Sequence, residues 1–374
     1  MEYKPQKLGI LGGGQLGKML IQEATNLNLQ IHILDPDPDC PCKDLSHNYT
    51  QGDFRDYEQV LRFGKEVDIL TIEIEHVNVD ALFELQDLGV KIFPQPDVIK
   101  VIQDKGLQKQ FFTNNNIPTS NYEIVQSKSD IKFKEPGIVQ KLRKGGYDGK
   151  GVQILKSSTL KSAFNGPSVI EDLVDIYKEI SVIVGRDING ETIVYEPVEC
   201  QFNEKENLVE FLQMPADLDI PTSTLAKDLA VKVSNDLGIV GILAVEMFIS
   251  NTGEVLVNEL APRPHNSGHQ TIESCYTSQF EQHIRCILNL PLGSSKIIQP
   301  SVMVNLLGES GYQGPAKYDG LIDVLGYTGV YVHLYGKKYT KPFRKMGHVT
   351  IIGDNINESK SLGRIVLDKL KVVS

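Results

Sequence analysis

AVEMFISNTGEVLVNELAPRPHNSGH, residues Ala244 to His269, is two strands and a polar tail. Val245, Met247 and Ile249 alternate with Glu246, Phe248 and Ser250. A turn follows at Asn251-Thr252-Gly253-Glu254, and a second strand runs from Val255 to Leu260. A two-residue loop at Thr252-Gly253 sets Glu246 directly opposite Glu259. Like charges placed across a strand pair destabilise it, and the other residues on that face, Ala244, Phe248, Val255 and Val257, are apolar. Two carboxylates so placed need protons or cations. Hard oxygen ligands favour magnesium, shared with phosphate oxygens. The competing reading is an exposed edge hairpin with two solvated acids.

Around this hairpin the chain has 374 residues, room for two or three domains. The hydrophobic share of 41% and charged share of 23% are those of a soluble globular protein. A net charge of -10 argues against a nucleic-acid-binding body. The 5 cysteines form no regular framework, and a reducing cytoplasm fits them best. Cys40 and Cys42 make a C-x-C pair in a Pro/Asp-rich loop, either a metal site or incidental. No signal peptide is expected ahead of Gly9-Ile10-Leu11-Gly12-Gly13-Gly14, and no apolar run reaches the roughly 20 residues of a membrane span.

Upstream, strand and helix alternate. Strands are expected at Leu8–Leu11, Ile31–Leu34, Asp68–Ile74 and Lys91–Phe93. Helices are expected after Gly17, at Arg55–Gly64 and at Val79–Leu88. That order implies a parallel sheet covered on both faces. Gly12, Gly14 and Gly17 match G-x-G-x-x-G at a strand-to-helix junction, where backbone amides and the helix N-terminus attract phosphate. Asp35 either holds a ribose, as in dinucleotide-binding folds, or opens the Asp-Pro-Asp-Pro-Asp turn. Glu73 and Glu75 share one side of a strand end. They are ligand contacts or solvated acids.

In the middle, a helix at Asp104–Asn115 precedes the strand Gly137–Leu142, which carries Lys141. Arg143-Lys144-Gly145-Gly146-Tyr147-Asp148-Gly149-Lys150-Gly151 then leads into the strand Val152–Leu155. Glycines and cations concentrated in a loop of an acidic protein suit a cover over polyphosphate. The spacing is not that of a P-loop. Ser168–Glu171 and Glu179–Val184 read as strands joined by a connector; in a nucleotide-binding reading the connector offers backbone groups to adenine and Glu179 accepts from ribose hydroxyls, and in the competing reading Glu171 and Glu179 are strand-end charges.

Lys141 with the glycine loop, Glu171 and Glu179, and the facing Glu246 and Glu259 stand in the order of the ATP-grasp superfamily. With Asn258 to His269 and Arg344-Lys345-Met346-Gly347-His348, the chain resembles the 5-(carboxyamino)imidazole ribonucleotide synthase family of purine biosynthesis from Gly9 to about Val349. The resemblance implies a mixed α/β and α+β chain with an ATP-grasp fold. It would hold an N-terminal Rossmann-like, pre-ATP-grasp parallel-sheet domain for substrate (1–102), a small lid domain (103–178), and a large catalytic domain with a C-terminal β-rich part (179–374). It implies ATP and magnesium, and carboxylation of 5-aminoimidazole ribonucleotide by bicarbonate through carboxyphosphate, with ADP and phosphate released. It also implies a cytoplasmic homodimer with no nucleic-acid or membrane partner.

By position, the resemblance assigns Lys105 and Lys141 to the ATP phosphates and Gly146, Tyr147, Asp148, Gly149, Lys150, Gly151 and Val152 to the lid. Glu171, Asp172, Leu173 and Val174 line adenine, Glu179 binds ribose, and Glu246 and Glu259 hold magnesium. Asn258, facing away from Glu259 by alternation, acts through its backbone. Asp148 orients or deprotonates the substrate amine, Tyr147 positions bicarbonate, and Arg263 suits bicarbonate or carboxyphosphate. Gly14, Gln15, Leu16, Glu75, Asn266, His269, Lys337, Arg344 and Lys345 take the ribonucleotide, Lys337 with a catalytic share. His265 and His269 are proton carriers or structural hydrogen-bond partners. Two departures stand out. Ala261 replaces a metal-contacting Asn common in the superfamily, and Glu199-Cys200-Gln201-Phe202 stands where the family often has Glu-Asn-x-His.

The C-terminal quarter offers strands at Ser301–Leu307, Val330–Leu334 and Val349–Ile352, then a helix at Ser359–Leu370. The basic run Lys337 to Arg344 and Lys345 lies between them. Alternatives are a formate-dependent glycinamide ribonucleotide transformylase, a nicotinamide-dependent oxidoreductase reading Gly12–Gly17 at face value, and a non-catalytic nucleotide sensor. Pro264-His265-Asn266-Ser267-Gly268-His269 favours the carboxylating enzyme over the transformylase.

Overall fold

The computed structural model describes residues 6–146, 151–203 and 208–374. Parallel pairing begins at once. β1 (Lys7–Leu11) feeds α1 (Gln15–Asn26), and β2 (Gln30–Asp35) and β3 (Asn48–Gln51) follow on one side of β1. α2 (Tyr57–Gly64), β4 (Ile69–Ile72), α3 (Val79–Asp87) and β5 (Lys91–Ile92) complete the other side, giving the sheet order β3-β2-β1-β4-β5. α1 buries Leu16, Met19, Leu20 and Ala24 at helical spacing. Asp56 and Asn78 cap α2 and α3 by accepting from the Gln59 and Ala81 amides. The strand order reverses between β1 and β4, the place where open α/β sheets take ligands. The glycine turn, Glu73 and Glu75 all lie there. β3, polar and half-exposed, has no apolar run and is not foreseeable from its sequence.

α4 (Pro96–Ile102) and α5 (Lys105–Asn114) lead to a small antiparallel sheet, β6 (Tyr122–Val125), β7 (Ile138–Leu142), β8 (Val152–Leu155) and β9 (Ser168–Asp172), in the order β6-β9-β7-β8. The expected glycine loop joins β7 to β8, but Tyr147, Asp148, Gly149 and Lys150 lie outside the described residues, as does the side chain of Phe202.

β10 (Ile176–Arg186), β11 (Thr192–Val194), β12 (Val198–Asn203) and β13 (Leu208–Met214) open a large antiparallel sheet, with α6 (Ile220–Leu237) packed on it. Asp219 caps the start of α6 and Gly238, at φ +66°, ends it. β14 (Gly241–Ser250) and β15 (Val255–Ala261) form the hairpin at one edge. α7 (Thr271–Ser274) and α8 (Gln279–Ile287) follow, and α8 shares a core with α1 through Phe280, Ile284 and Ile287. The C-terminal strands do not form a separate sheet. β16 (Ser301–Leu307) pairs directly with β13, and β21 (Lys345–Ile352) and β19 (Val330–Leu334) extend the same slab to β15-β14-β10-β12-β13-β16-β21-β19. β21 starts earlier than its apolar run because Met346, Gly347 and His348 are also buried. Short pairs, β17 (Gly314–Pro315) with β20 (Tyr339–Thr340) and β18 (Lys317–Asp319) with β22 (Lys371–Val373), surround α9 (Leu321–Leu325) and α10 (Ile356–Lys369). Among the described residues, no helix is long and apolar enough to cross a membrane.

Candidate active site

Glu246 faces Glu259 across β14 and β15, as the sequence reading expects, but by a different route. The Ser250 amide donates to the Glu254 carbonyl at 2.9 Å and the Gly253 amide to the Ser250 carbonyl at 2.9 Å, with Gly253 at φ +85°. The loop is therefore the three residues Asn251-Thr252-Gly253, not the two-residue loop expected, with glycine supplying the left-handed position. Nearer the turn Met247 pairs with Val257, so Asn258 is an extra residue, a bulge. The two irregularities cancel at the acids.

The bulge also overturns the expectation for Asn258. Its side chain is turned into the site, and Lys141 Nζ donates to its Oδ1 at 2.7 Å. Lys141 is also 2.9 Å from a Glu171 carboxylate oxygen. Lys109 approaches the second Glu171 oxygen at 3.2 Å and donates to Thr119 and Ser120, while Ser120 Oγ donates to Glu171 at 2.5 Å. Glu171 is thus spent inside the protein. Burial pushes its carboxyl up, but Lys141 and Lys109 outweigh it and hold it below the usual range. Burial takes the Lys109 ammonium down to about 8. Sequence reasoning missed Lys109, although its place one helical turn beyond Lys105 on α5 was a signal.

Lys105 donates to Glu259 and stands first in α5, whose cap, Asp104, accepts from the Gly106 amide and from Arg143 at 2.7 and 2.8 Å. Helix, lid strand and acid pair are so tied together. Burial and the neighbouring Glu259 and Glu179 push the Glu246 carboxyl up to about 7. Burial would raise Glu259 too, but Lys105 reverses it and holds this carboxyl low. Glu179, on β10 opposite Phe248 and Cys200, is raised by burial, with Lys141 opposing. His265 Nε2 lies 3.3 Å from Glu246, its Nδ1 2.9 Å from Ser267 Oγ, and Ser267 donates to Ser181 at 2.7 Å. Among the described residues no cluster of three or more His, Cys, Asp or Glu side chains could hold a metal. A lone carboxylate pair, one member short of positive charge, still fits a magnesium whose other ligands are phosphates and water.

The first domain meets this centre through Arg263, 2.7 Å from Glu75, with Arg263 Nε and Asn266 Oδ1 buried and unpartnered among the described residues. Glu75 is therefore neither solvated nor isolated. Lys337 donates to the Lys345 carbonyl at 2.7 Å and Arg344 to the Tyr339 carbonyl at 2.6 Å, which folds the basic run into an arm. Lys18 donates to the Leu334 carbonyl at 2.8 Å and joins α1 to that arm. His269 is fully buried, its ring stacked near Phe280 and 4.8 Å from the His348 ring. Burial holds its imidazole neutral. It underlies the site, and a proton-carrier role does not fit it. Asp35 does not await a ribose either: its carboxylate accepts from the Gly13 amide at 2.6 Å and the Asp37 amide at 2.8 Å. Cys40 and Cys42 are buried beneath the glycine turn, with Cys42 Sγ 3.4 Å from the Gly14 carbonyl, and burial pushes both thiols up, so a metal site there is not supported. A cavity of about 500 Å³ at the hairpin tip, lined by Tyr177, Asp217, Ser250 and Gly253 among others, includes neither acid of the pair.

Three family models match the chain: a ribonucleotide synthetase preATP-grasp domain at 5–103, an ATP-grasp domain at 110–280, and a phosphoribosylaminoimidazole carboxylase C-terminal domain at 301–361. The chain is 36% identical over 362 residues to N5-carboxyaminoimidazole ribonucleotide synthase of Bacillus subtilis, covering 94% of this chain and 92% of that one. It spans only about two thirds of longer relatives, such as 66% of a chloroplastic phosphoribosylaminoimidazole carboxylase from Vigna aconitifolia, to which it is 36% identical over 96% of its own length. The crystal structure of N5-carboxyaminoimidazole ribonucleotide synthetase from Thermotoga maritima superposes with a TM-score of 0.91 at 42% identity, over 99% of each chain. The Aspergillus clavatus synthase in complex with ADP and 5-aminoimidazole ribonucleotide gives 0.88 at 31% identity, over 97% of this chain and 98% of that one.

Proposed function

The chain belongs to the N5-carboxyaminoimidazole ribonucleotide synthase family of ATP-grasp enzymes, and from that premise we propose that it carboxylates the amine of 5-aminoimidazole ribonucleotide with bicarbonate at the expense of ATP. The observation that carries the reading is the carboxylate pair Glu246 and Glu259, attended by Lys105 and, through Asn258, Lys141, on the same body as Arg263 with its Glu75 partner.

In the reaction a bicarbonate oxygen attacks the γ-phosphorus, the bond to the β-phosphate oxygen breaks, and ADP leaves. The resulting carboxyphosphate delivers its carbon to the substrate amine: a nitrogen–carbon bond forms, the carbon–oxygen bond to phosphate breaks, and the amine loses a proton. Lys105 and Lys141 leave their acid and amide partners to meet the triphosphate, since each already faces the cleft with a charge to share. Magnesium held by Glu246 and Glu259 would supply Lewis-acid neutralisation of phosphate charge. Glu179 accepts from the ribose, and the backbone of Glu171, Asp172, Leu173 and Val174 borders adenine, with the lid residues Gly146, Gly151 and Val152 above the phosphates. Arg263, whose Nε–H has no partner among the described residues, orients the bicarbonate or carboxyphosphate oxygens. Asn266, Glu75, Gly14, Gln15, Leu16, Lys337, Arg344 and Lys345 receive the ribonucleotide. Tyr147, Asp148, Gly149 and Lys150 keep the roles the family resemblance gives them.

Phosphate release from ATP is the test, measured with bicarbonate and with or without 5-aminoimidazole ribonucleotide, beside glycinamide ribonucleotide plus formate. Release stimulated by the first pair alone supports the reading. Stimulation by the second pair alone replaces it with the transformylase. A homodimer belongs to the same proposal. Light scattering tests it, twice the mass of one chain being the expected outcome.

A further inference from the structure

The glycine turn after β1 has the spacing of a phosphate cradle, but its cradle is filled from within. Glu73, just past the end of β4, sends its carboxylate across the topological switch point. Its Oε2 accepts the Gly17 amide at 2.9 Å, and the Gly14 amide is directed at the same group. A Cβ built on Gly14 would stand 2.5 Å from Glu73 Oε1, and one on Gly12 would strike the Glu73 stem. Gly12, at φ +101°, could not carry a side chain without strain in any case. The glycines leave room for an acid of the chain itself. Helix N-termini attract anions because their first amides have no partner within the helix, and α1, whose N-cap Gly14 has no side-chain cap of its own, takes Glu73 instead.

We propose that Glu73 is a positioning residue: its carboxylate occupies the anion place at the head of α1 and thereby holds Gly14-Gln15-Leu16 in the shape that receives the ribonucleotide. The inference rests on the reading that this loop contacts that substrate. It explains why a dinucleotide has no berth here, since the pyrophosphate position is taken. It also gives Glu73 and Glu75, two residues apart, separate work. Glu75 reaches Arg263 in the cleft, while Glu73 points back to the loop. Burial holds the Glu73 carboxyl above the ordinary carboxylate range, with the Gly17 and Gly14 amides opposing it.

The test compares Glu73→Ala, Glu73→Gln and Gln15→Ala by steady-state kinetics at fixed bicarbonate and ionic strength, with formate or chloride added, alongside thermal melting. Glu73→Ala should raise KM for the ribonucleotide at least tenfold and leave KM for ATP within twofold. Formate, a small carboxylate able to enter the vacated cradle, should restore a large part of the loss where chloride does not. Glu73→Gln keeps an acceptor oxygen without charge and should fall between; it decides the matter if the alanine variant does not fold. An unchanged KM, an equal rise for both substrates, or no difference between formate and chloride overturns the role of Glu73. If Gln15→Ala raises the ribonucleotide KM while Glu73→Ala does not, only Glu73 falls. If neither does, the placement of the substrate on this loop falls as well.

Discussion

At the scale of single residues the site is a set of ion pairs, Lys105 on Glu259 and Lys141 on Glu171, with Glu246 left short of a cation. Glu246 shows the cost. Its carboxyl ordinarily titrates near 4.5 and is pushed up to about 7 here, so between those values the folded protein holds a proton that the unfolded chain has lost. Without metal, stability should therefore decline as pH rises from 4.5 to 7. Glu246→Gln should flatten that slope and raise stability at pH 8 by about 1 kcal/mol, the part left after solvent screens a side chain 39% exposed. The same variant should lose ATP turnover by at least a hundredfold; unaltered turnover would contradict the metal assignment. Glu171 has the opposite sign. Held low by Lys141 and Lys109, it stabilises above the ordinary carboxylate range, and that contribution disappears as pH falls through its own lowered value. Lys141→Met leaves Lys109 and Ser120 on Glu171, so urea unfolding should show a loss below the roughly 3–5 kcal/mol of stripping a buried ion pair, with ATP affinity falling much further. Lys141, Glu246 and Glu259 were legible because charge in an apolar strand or beside a glycine loop is conspicuous in a sequence, whereas Lys105 came only with the family resemblance. Lys109 and Ser181 were not, because they act on other residues through contacts made far along the chain. Glu73 stands out at its strand end, but its turn back to the Gly17 amide was not foreseeable for the same reason.

Among the elements, the hairpin β14–β15 teaches most. Alternation placed Glu246 opposite Glu259, but the two-residue turn that led there is wrong. The three-residue loop displaces the register by one, and Asn258 restores it. Deleting Asn258 should close the ladder with Met247 still on Val257 and Glu246 still on Glu259, so what is lost is the amide that holds Lys141, and nucleotide turnover should fall while the sheet survives, as phosphate release and circular dichroism would show. Gly253→Ala, forced to φ +85°, should lower stability by about 1 kcal/mol without touching turnover. Bulges leave little trace in a pattern of period two, which is why strand alternation misdirected the Asn258 side chain. α6 escaped notice for another reason: alanines at Ala226 and Ala230 thin the apolar stripe that would announce it. The first parallel sheet was readable in outline because its strands are short runs of buried residues broken by capped helices, β3 excepted.

Over the whole molecule, the sequence suggested a β-rich C-terminal part but could not say that it continues the large sheet, because β13 and β16 meet only after a helix, a hairpin and two more helices. Ending the chain at residue 300 would strip β13 of its neighbour along Leu212, Gln213 and Met214 and remove Met303 from the core around Ile183 and Tyr195. Such a fragment should aggregate rather than bind ATP, as size-exclusion chromatography would record. The joined sheet also bears on movement. The acid pair on β14 and β15 and the basic arm flanked by β19 and β21 are parts of one hydrogen-bonded plank, so the span between the two substrate stations is a fixed ruler. Paired spin labels on β15 and β19 should report the same separation with and without ligands, while a label on the β6–β9 sheet should shift when nucleotide replaces the Lys105–Glu259 and Lys141–Asn258 contacts that tie it down. Reach is built in by the backbone, and only access is left to change.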